Sequence, residues 1–231
     1  MTTPERRNKA EEAYDRIEAM ITFQELPPNT ALSEARLMEI TGLGRSPVRE
    51  ALQRLARERM VDIHPSRGVF VTPISFETQL KLLELRRPVE ELADRLAAER
   101  ADVHQRAEMH DLAAEFEAFK GTDLKAFGAH LKHAHHLTVR AAGNEYLSVA
   151  MAPLQSLSRR FWFGALRDPQ HDLKIAGQLH GDILRAIGDT DPTRASQASL
   201  ALNDYLVEFC YATLKGRVPD RHHGMSDLNA N

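Results

Sequence analysis

Arg45, Ser46 and Arg49 crowd one short stretch of the chain, and Arg67 stands beside Gly68 further on. An arginine fork suits the O6 and N7 edge of guanine or a phosphate. A hydroxyl beside the free N–H groups of a helix start suits phosphate oxygens. Between Arg45 and Arg67 the basic residues are Arg45, Arg49, Arg54, Arg57, Arg59 and Arg67, against only Glu50, Glu58 and Asp62, although the whole chain carries a net charge of −3. Local patches, rather than the total, report a nucleic-acid surface. Arg36, Arg45, Ser46, Arg49, Arg67 and Gly68 are therefore read as DNA contacts. Arg54, Arg57 and Arg59, taken singly, are read as solvated charges.

A second group gathers imidazoles: His130, His133, His135 and His136 in one stretch, and His180 later. On a helix the step from His130 to His135 turns by about 140°, so these two do not converge. His133 and His136 fall off the apolar stripe of Leu124, Phe127, Leu131, Ala134 and Thr138, on the solvated face. His135 and His180 stay open between core residues with satisfied nitrogens and donors to a ligand. Arg86 precedes Glu90 by four residues, the spacing of an ion pair on one helix face. Trp162 and Phe163 are read as core. No nucleophile elbow, phosphate loop or HExxH pattern accompanies them, which weighs against an enzyme.

These residues need elements to hold them. Asn8 to Phe23 has Ala10, Ala13, Ile17, Met20 and Ile21 on one helical face. Ser33 offers a cap for a short helix that Gly42 ends, and Ser46-Pro47 reads as a cap and first position of a third helix burying Val48, Ala51, Leu52 and Leu55. Two short helices about a glycine turn make a helix-turn-helix. Val61 and Ile63, then Val69 and Val71, alternate about Pro65 to Gly68 as a β-hairpin, the wing. From Ser75 onward everything reads as helix: 75–101 with a kink or break at Pro88, 102–120, 123–143, 144 onward with a bend at Pro153, 168–188 and 191–216. The fold class expected is mainly α, an N-terminal winged helix-turn-helix over 8–74 and an all-α antiparallel helical bundle over 75–216. A flexible tail is expected over 217–231.

The chain has 231 residues, enough for two modest domains with separate cores. No apolar run reaches membrane-spanning length, the N-terminus lacks a signal-peptide core, and the one cysteine, Cys210, excludes an internal disulfide framework. A cytoplasmic protein is expected.

The stretches Pro27 to Glu34, Leu43 to Leu52, Arg54-Leu55 and Pro65 to Val71 closely resemble the GntR superfamily of bacterial regulators, with Gly44 where serine is common and Asn29 where glycine is common. Residues 75–215 resemble the FCD domain of its FadR branch, through Glu84 to Glu90, Leu96 to Ala98, His135, Ala141 to Asn144, His180 to Ile187, and Asp191 with Ala195. That resemblance implies a bundle enclosing a pocket, a homodimer, and DNA affinity set by a small metabolite, often a carboxylate. It also implies a divalent metal held by one aspartate and three histidines. His135 and His180 match two of those positions, but Leu131 stands at the aspartate and Asn203 at the last histidine. No cofactor is assigned with certainty; His135 and His180 are the candidate ligands of a divalent metal, whose ligand set would be incomplete. The same resemblance turns Arg86 toward the pocket, so an effector site of Arg86, His135, His180 and Asn203 is expected to take a carboxylate. The function expected is a metabolite-responsive DNA-binding regulator of the repressing kind, with operator DNA, effector and a second copy of itself as partners. An enzyme fused to a DNA anchor and a constitutive DNA binder with a vestigial pocket are the alternatives.

Overall fold

The structure, a computed structural model, describes residues 8–65 and 67–215; the tail expected over 217–231 lies outside the described residues. The chain opens with α1 (Lys9–Thr22), capped by the Asn8 side chain, which accepts from the Ala10 N–H. Its face of Ala13, Tyr14, Ile17 and Ile21 is buried against α3 (Arg45–Arg57). Between them lie β1 (Ala31–Leu32) and α2 (Glu34–Thr41), where Ser33 caps the helix and Gly42, at φ +67°, closes it in the left-handed region that glycine enters freely. Asn29 takes φ +66°, which its short amide tolerates, so the glycine common in the family is not needed there.

The wing is β2 (Val61–His64) with β3 (Gly68–Val71), and β1 adds to β3 to give the order β1-β3-β2, all antiparallel. The third strand was not expected, since two residues are too few to show a period. The α3 start also differs. Gly44, not Ser46, occupies the cap position, and no side chain caps it, so Ser46 lies inside the first turn. Ile63 faces solvent, 48% exposed, leaving Val61, Val69 and Val71 as the buried residues of the hairpin.

The remainder is all helix among the described residues: α4 (Phe76–Arg100), α5 (Val103–Ala118), α6 (Leu124–Ala142), α7 (Glu145–Ala165), α8 (Pro169–Gly188) and α9 (Pro192–Lys215). Ser75, Asp102, Asp123, Asn144 and Asp168 each accept a backbone N–H at their helix starts. Pro88 and Pro153 do not split α4 or α7. Each removes one N–H from the ladder, while buried neighbours on both sides, Leu83 and Ala93 or Met151 and Leu154, hold the helix together. The pairs α4–α9, α5–α8 and α8–α9 make the main contacts of the bundle.

Buried apolar residues form two clusters, one from Ala13 to Val71 and one from Leu83 to Cys210. The domains meet where α1 docks on α7. Phe23 packs on Phe163, ring centroids 4.9 Å apart, and Arg160, 1% exposed, donates to the Thr72 hydroxyl at 2.8 Å and to the Thr72 carbonyl. This close approach requires Gly128, since a Cβ there would stand 2.7 Å from Phe23 Cζ and 3.4 Å from Phe163 Cζ. Gly128→Ala therefore wedges the domains apart. The expected cost is about 1–3 kcal/mol, as for other overpacked sites, with faster amide exchange in the C-terminal turn of α1 and none in α5. Unchanged exchange in α1 refutes this account of the junction.

Candidate functional site

At the surface of the winged domain, the start of α3 displays Arg45 and Arg49 with side chains 72% and 62% exposed. Both lean on Glu34 at the start of α2: Arg49 Nε lies 2.9 Å from its carboxylate and Arg45 Nε 3.8 Å. Exposed pairs like these contribute only about 0.2–1 kcal/mol, so they orient the arginines without holding them against DNA. Arg36 pairs with Glu39 at 2.8 Å on the exposed side of α2. Arg67 and Gly68 are exposed at the hairpin tip, with Gly68 at φ +96°. Ser46 is exposed beside Arg45. The six residues expected to touch DNA thus lie exposed on α2, the start of α3 and the wing.

Arg54 has a different role. Its guanidinium sits 3.7 Å over the Tyr14 ring and its Nε donates to Glu58 at 3.1 Å, while the Tyr14 hydroxyl donates to the same carboxylate at 2.5 Å. Burial and the Glu58 charge push the Tyr14 phenol well above its ordinary range. This cluster fastens α1 to the end of α3 and so fixes the pose of the recognition helix. Sequence reasoning missed Glu34 and Tyr14 because neither stands out until α1, α2 and α3 are folded together.

Inside the bundle, α4, α6, α7, α8 and α9 enclose two small chambers. One, of about 30 Å³, is lined by Arg86, Leu131, His135, Arg159, Trp162 and His180 among others. The second, of about 20 Å³, has Glu90, Asp94, His135, Gln155 and His180 in its wall. His135 and His180 meet edge to face with centroids 5.7 Å apart, and Phe116 stacks on the far side of His180. Burial, with the Arg86 charge, lowers His180 to about 3. Burial, then Arg159, holds His135 well below its ordinary value too. Both rings are neutral at pH 7, so each offers one donor and one acceptor. Arg159 Nη1 lies 3.4 Å from His135 Nδ1. A guanidinium only donates, so Nδ1 accepts and the His135 proton is on Nε2.

Arg86 is both an ion-pair partner and a cavity residue. It donates to Glu90 at 2.9 Å and to the Ser158 hydroxyl at 2.5 Å, and its Nε is buried without a partner. Asn203 does not join this group. Its Nδ2 donates to the Leu83 carbonyl at 3.2 Å and its Oδ1 accepts from Arg87 at 3.4 Å, bracing α9 against α4. The second chamber is acidic in composition, although burial raises Asp94 to about 8 and so keeps it protonated at pH 7. Among the described residues, positive charge in the chamber walls comes from Arg86 and Arg159 alone.

Residues 9–71 match the bacterial regulatory proteins of the gntR family, and residues 81–204 match the FCD domain. The chain belongs to the gntR family and carries an FCD domain. An uncharacterized HTH-type transcriptional regulator from an unstable DNA locus of Streptomyces ambofaciens is 32% identical over 155 residues, covering 63% of this chain and 62% of that protein. The galactonate operon transcriptional repressor of Escherichia coli K12 is 26% identical over 204 residues, 77% of this chain and 85% of that one. The structure of E. coli McbR/YncC shares the fold at a TM-score of 0.76 and 16% identity, covering 90% of this chain and 99% of its own.

The metal of many FCD domains does not fit this one. Leu131 is buried and apolar in the cavity wall, Asn203 is committed elsewhere, and two guanidiniums face the two remaining histidines. A divalent cation there would gain two neutral donors and meet two fixed positive charges. Among the described residues no three His, Cys, Asp or Glu side chains come together as a metal site.

Two outcomes follow from this GntR-type geometry. Arg49→Ala and Arg45→Ala each lose about 1–3 kcal/mol of discrimination between operator and random DNA, while Arg57→Ala, exposed at the far end of α3, loses much less. Equal losses for all three in anisotropy titrations mean generic electrostatics. The second outcome concerns acid. The folded protein resists protonating His180 down to about pH 3, whereas an unfolded histidine takes its proton near 6.5. Stability is therefore unaffected above that range and falls as pH drops through it. Between these limits His180→Asn should remove about 1.4 kcal/mol per pH unit from the slope of stability against pH, as read from urea midpoints; an unchanged slope contradicts the buried neutral imidazole.

Proposed function

We propose that this protein is a cytoplasmic repressor that binds operator DNA as a homodimer and releases it when a small organic carboxylate occupies the FCD domain. The observation that carries this reading is the pairing of an exposed recognition helix, with Arg45, Ser46 and Arg49 at its start, to a second domain whose interior holds two guanidiniums and two neutral imidazoles. Arg36, Arg67 and Gly68 complete the DNA contacts. In the effector site Arg86 and His180 supply charge and hydrogen bonds to the acid, with His135 between them and the outside. Asn203 serves the site from behind, by fixing α9. The E. coli relative is named for repression of a galactonate operon, which supports a sugar acid or similar carboxylate as the class of effector. The relatives' names are those of regulators, in keeping with a protein that performs no catalysis. Among the described residues no helix is long and apolar enough to cross a membrane.

One observation favours a second reading, a constitutive DNA binder: the chambers of about 30 and 20 Å³ admit a water or two and no metabolite until helices part. Light scattering with footprinting tests the DNA half, where a dimer protecting a two-fold site with half-sites in successive major grooves is expected. A monomer covering one half-site rules it out. A thermal-shift screen of organic and sugar acids tests the other half, since a ligand at a hundred times its Kd adds about 2.7 kcal/mol to native stability. Operator release by an acid that also raises Tm is the expected result; operator binding indifferent to every acid that shifts Tm leaves the constitutive reading.

A further inference from the structure

A much larger opening lies outside the two chambers. A cleft of about 600 Å³ runs between the winged domain and the helical domain, from Tyr14 and Arg54 on one side to α6 and α7 on the other. Its volume is that of an ordinary metabolite site, whereas the chambers are smaller by more than an order of magnitude. Arg54, Lys132, Arg140 and Arg159 line it with His135 and His136, and Glu145 is the one carboxylate in that wall. Ser148, Gln155 and Ser156 supply hydrogen-bonding groups between the charges. His135 belongs to this wall and also to both chambers, so the cleft is their vestibule.

The cations have partners at present. Arg54 pairs with Glu58 and Arg140 with Glu108, and Lys132 Nζ lies 2.5 Å from Asp15 and 3.7 Å from Glu18. Arg159 is the informative one. Its Nη2 donates to Glu18 of α1 at 2.9 Å and stands 3.5 Å from the Ser156 hydroxyl, while Nη1 faces His135. The pair is buried, with side chains 10% and 6% exposed. Glu18 thus puts a carboxylate from the DNA-binding domain onto a guanidinium that lines the cleft and the Arg86 chamber together. The field is positive enough to be felt by a neighbour: burial, then Lys132 and Arg159, lower His136, with Asp15 opposing.

We propose that the interdomain cleft is a binding site for a small polar organic acid, whose carboxylate takes Arg159 in place of the Glu18 carboxylate. The proposal rests on the reading of an acid-responsive regulator and moves the seat of the acid to the vestibule outside His135. Glu18 is then an internal competitor. When the acid holds Arg159, Glu18 keeps only Lys132 and the Thr22 hydroxyl, and α1 loses one of its ties to α7. Because α1 packs on α3, the pose of the recognition helix is coupled to occupancy of the cleft.

Calorimetry on the full-length chain tests this, with citrate and D-galactonate as probes and the variants Glu18→Gln, Arg159→Gln and Arg86→Met. Removing the competitor in Glu18→Gln is expected to tighten binding of at least one acid about tenfold, and Arg159→Gln to weaken it by at least about tenfold, the factor for one charge-assisted hydrogen bond. Arg86→Met has the smaller effect. Amide exchange in α1 is expected to rise when the acid binds wild type, and to be high already in Glu18→Gln. Glu18→Gln is isosteric and decides the matter even where Arg159→Gln does not fold. Acid binding that Arg86→Met abolishes and Glu18→Gln leaves unchanged places the acid in the inner chamber. That outcome overturns the cleft site and leaves the regulator reading standing. Binding indifferent to all three variants, or no heat from either acid at millimolar concentration in wild type and Glu18→Gln alike, also overturns the proposal.

Discussion

Glu18 carries a charge on a side chain almost wholly removed from water, where α1 of the winged domain meets α7 of the helical domain. Burial alone raises a carboxyl's pKa, yet Arg159 and Lys132 close on it from the helical domain and hold it below its ordinary value. A buried carboxylate stripped of its partner costs several kcal/mol, far more than an exposed pair is worth. The docking of α1 on α6 and α7 therefore depends on that pair, as does the direction in which α3 points. Apolar contact between Phe23, Gly128 and Phe163 keeps the domains near one another, but it does not by itself fix an angle.

The two faces of the molecule use the same residue types at different strengths because of solvent. Arg45 and Arg49 on Glu34 are exposed, and a competing anion or base edge would displace such a weak pair readily. Arg86 on Glu90 and Arg159 on Glu18 are buried, and neither opens without a substitute acceptor. That difference accords with the proposed roles, DNA recognition for the outer arginines and response to an acid for the inner ones. The histidines add no charge to either. At pH 7 they offer directional hydrogen bonds, and the positive potential around them comes from the guanidinium groups of Arg86 and Arg159.

Much of the fold was legible in the sequence. Caps such as Ser33, Ser75, Asp102, Asp123 and Asp168 and stops such as Gly42 and Gly143 announce helix ends through local chemistry, which needs no tertiary context. The α3 start was shifted because Ser46-Pro47 has the look of a cap and first position, whereas the chain enters its helix two residues earlier, at Arg45. β1 was illegible because two residues gain a strand conformation only from pairing with β3. Within the site, Arg86, His135 and His180 could be picked out through a resemblance, and the fold gathers them. Asn203 carried the same resemblance but turns to Leu83 and Arg87. Arg159 and Glu18 gave no signal at all. They are 141 positions apart, and neither looks unlike a surface charge until the domains meet.

A ligand shifts a conformational equilibrium only by the difference between its affinities for the two states. An acid bound wholly within the inner chambers would contact helices of one domain, so its preference for one interdomain pose would have to travel through packing. An acid on Arg159 competes directly with a side chain of the other domain, and the difference in affinity arises at the contact itself. The buried Arg160, bonded to Thr72 at the end of the wing, remains engaged in either case and keeps the two domains tethered along one edge. On the proposed exchange at Arg159, opening would be confined to the edge that Glu18 holds. A rotation about the Thr72 edge carries α1 and α3 together, because Tyr14, Arg54 and Glu58 lock those helices to one another. In the proposed dimer the spacing of the two heads would change with that rotation, while the arginines at the start of α3 keep their local geometry.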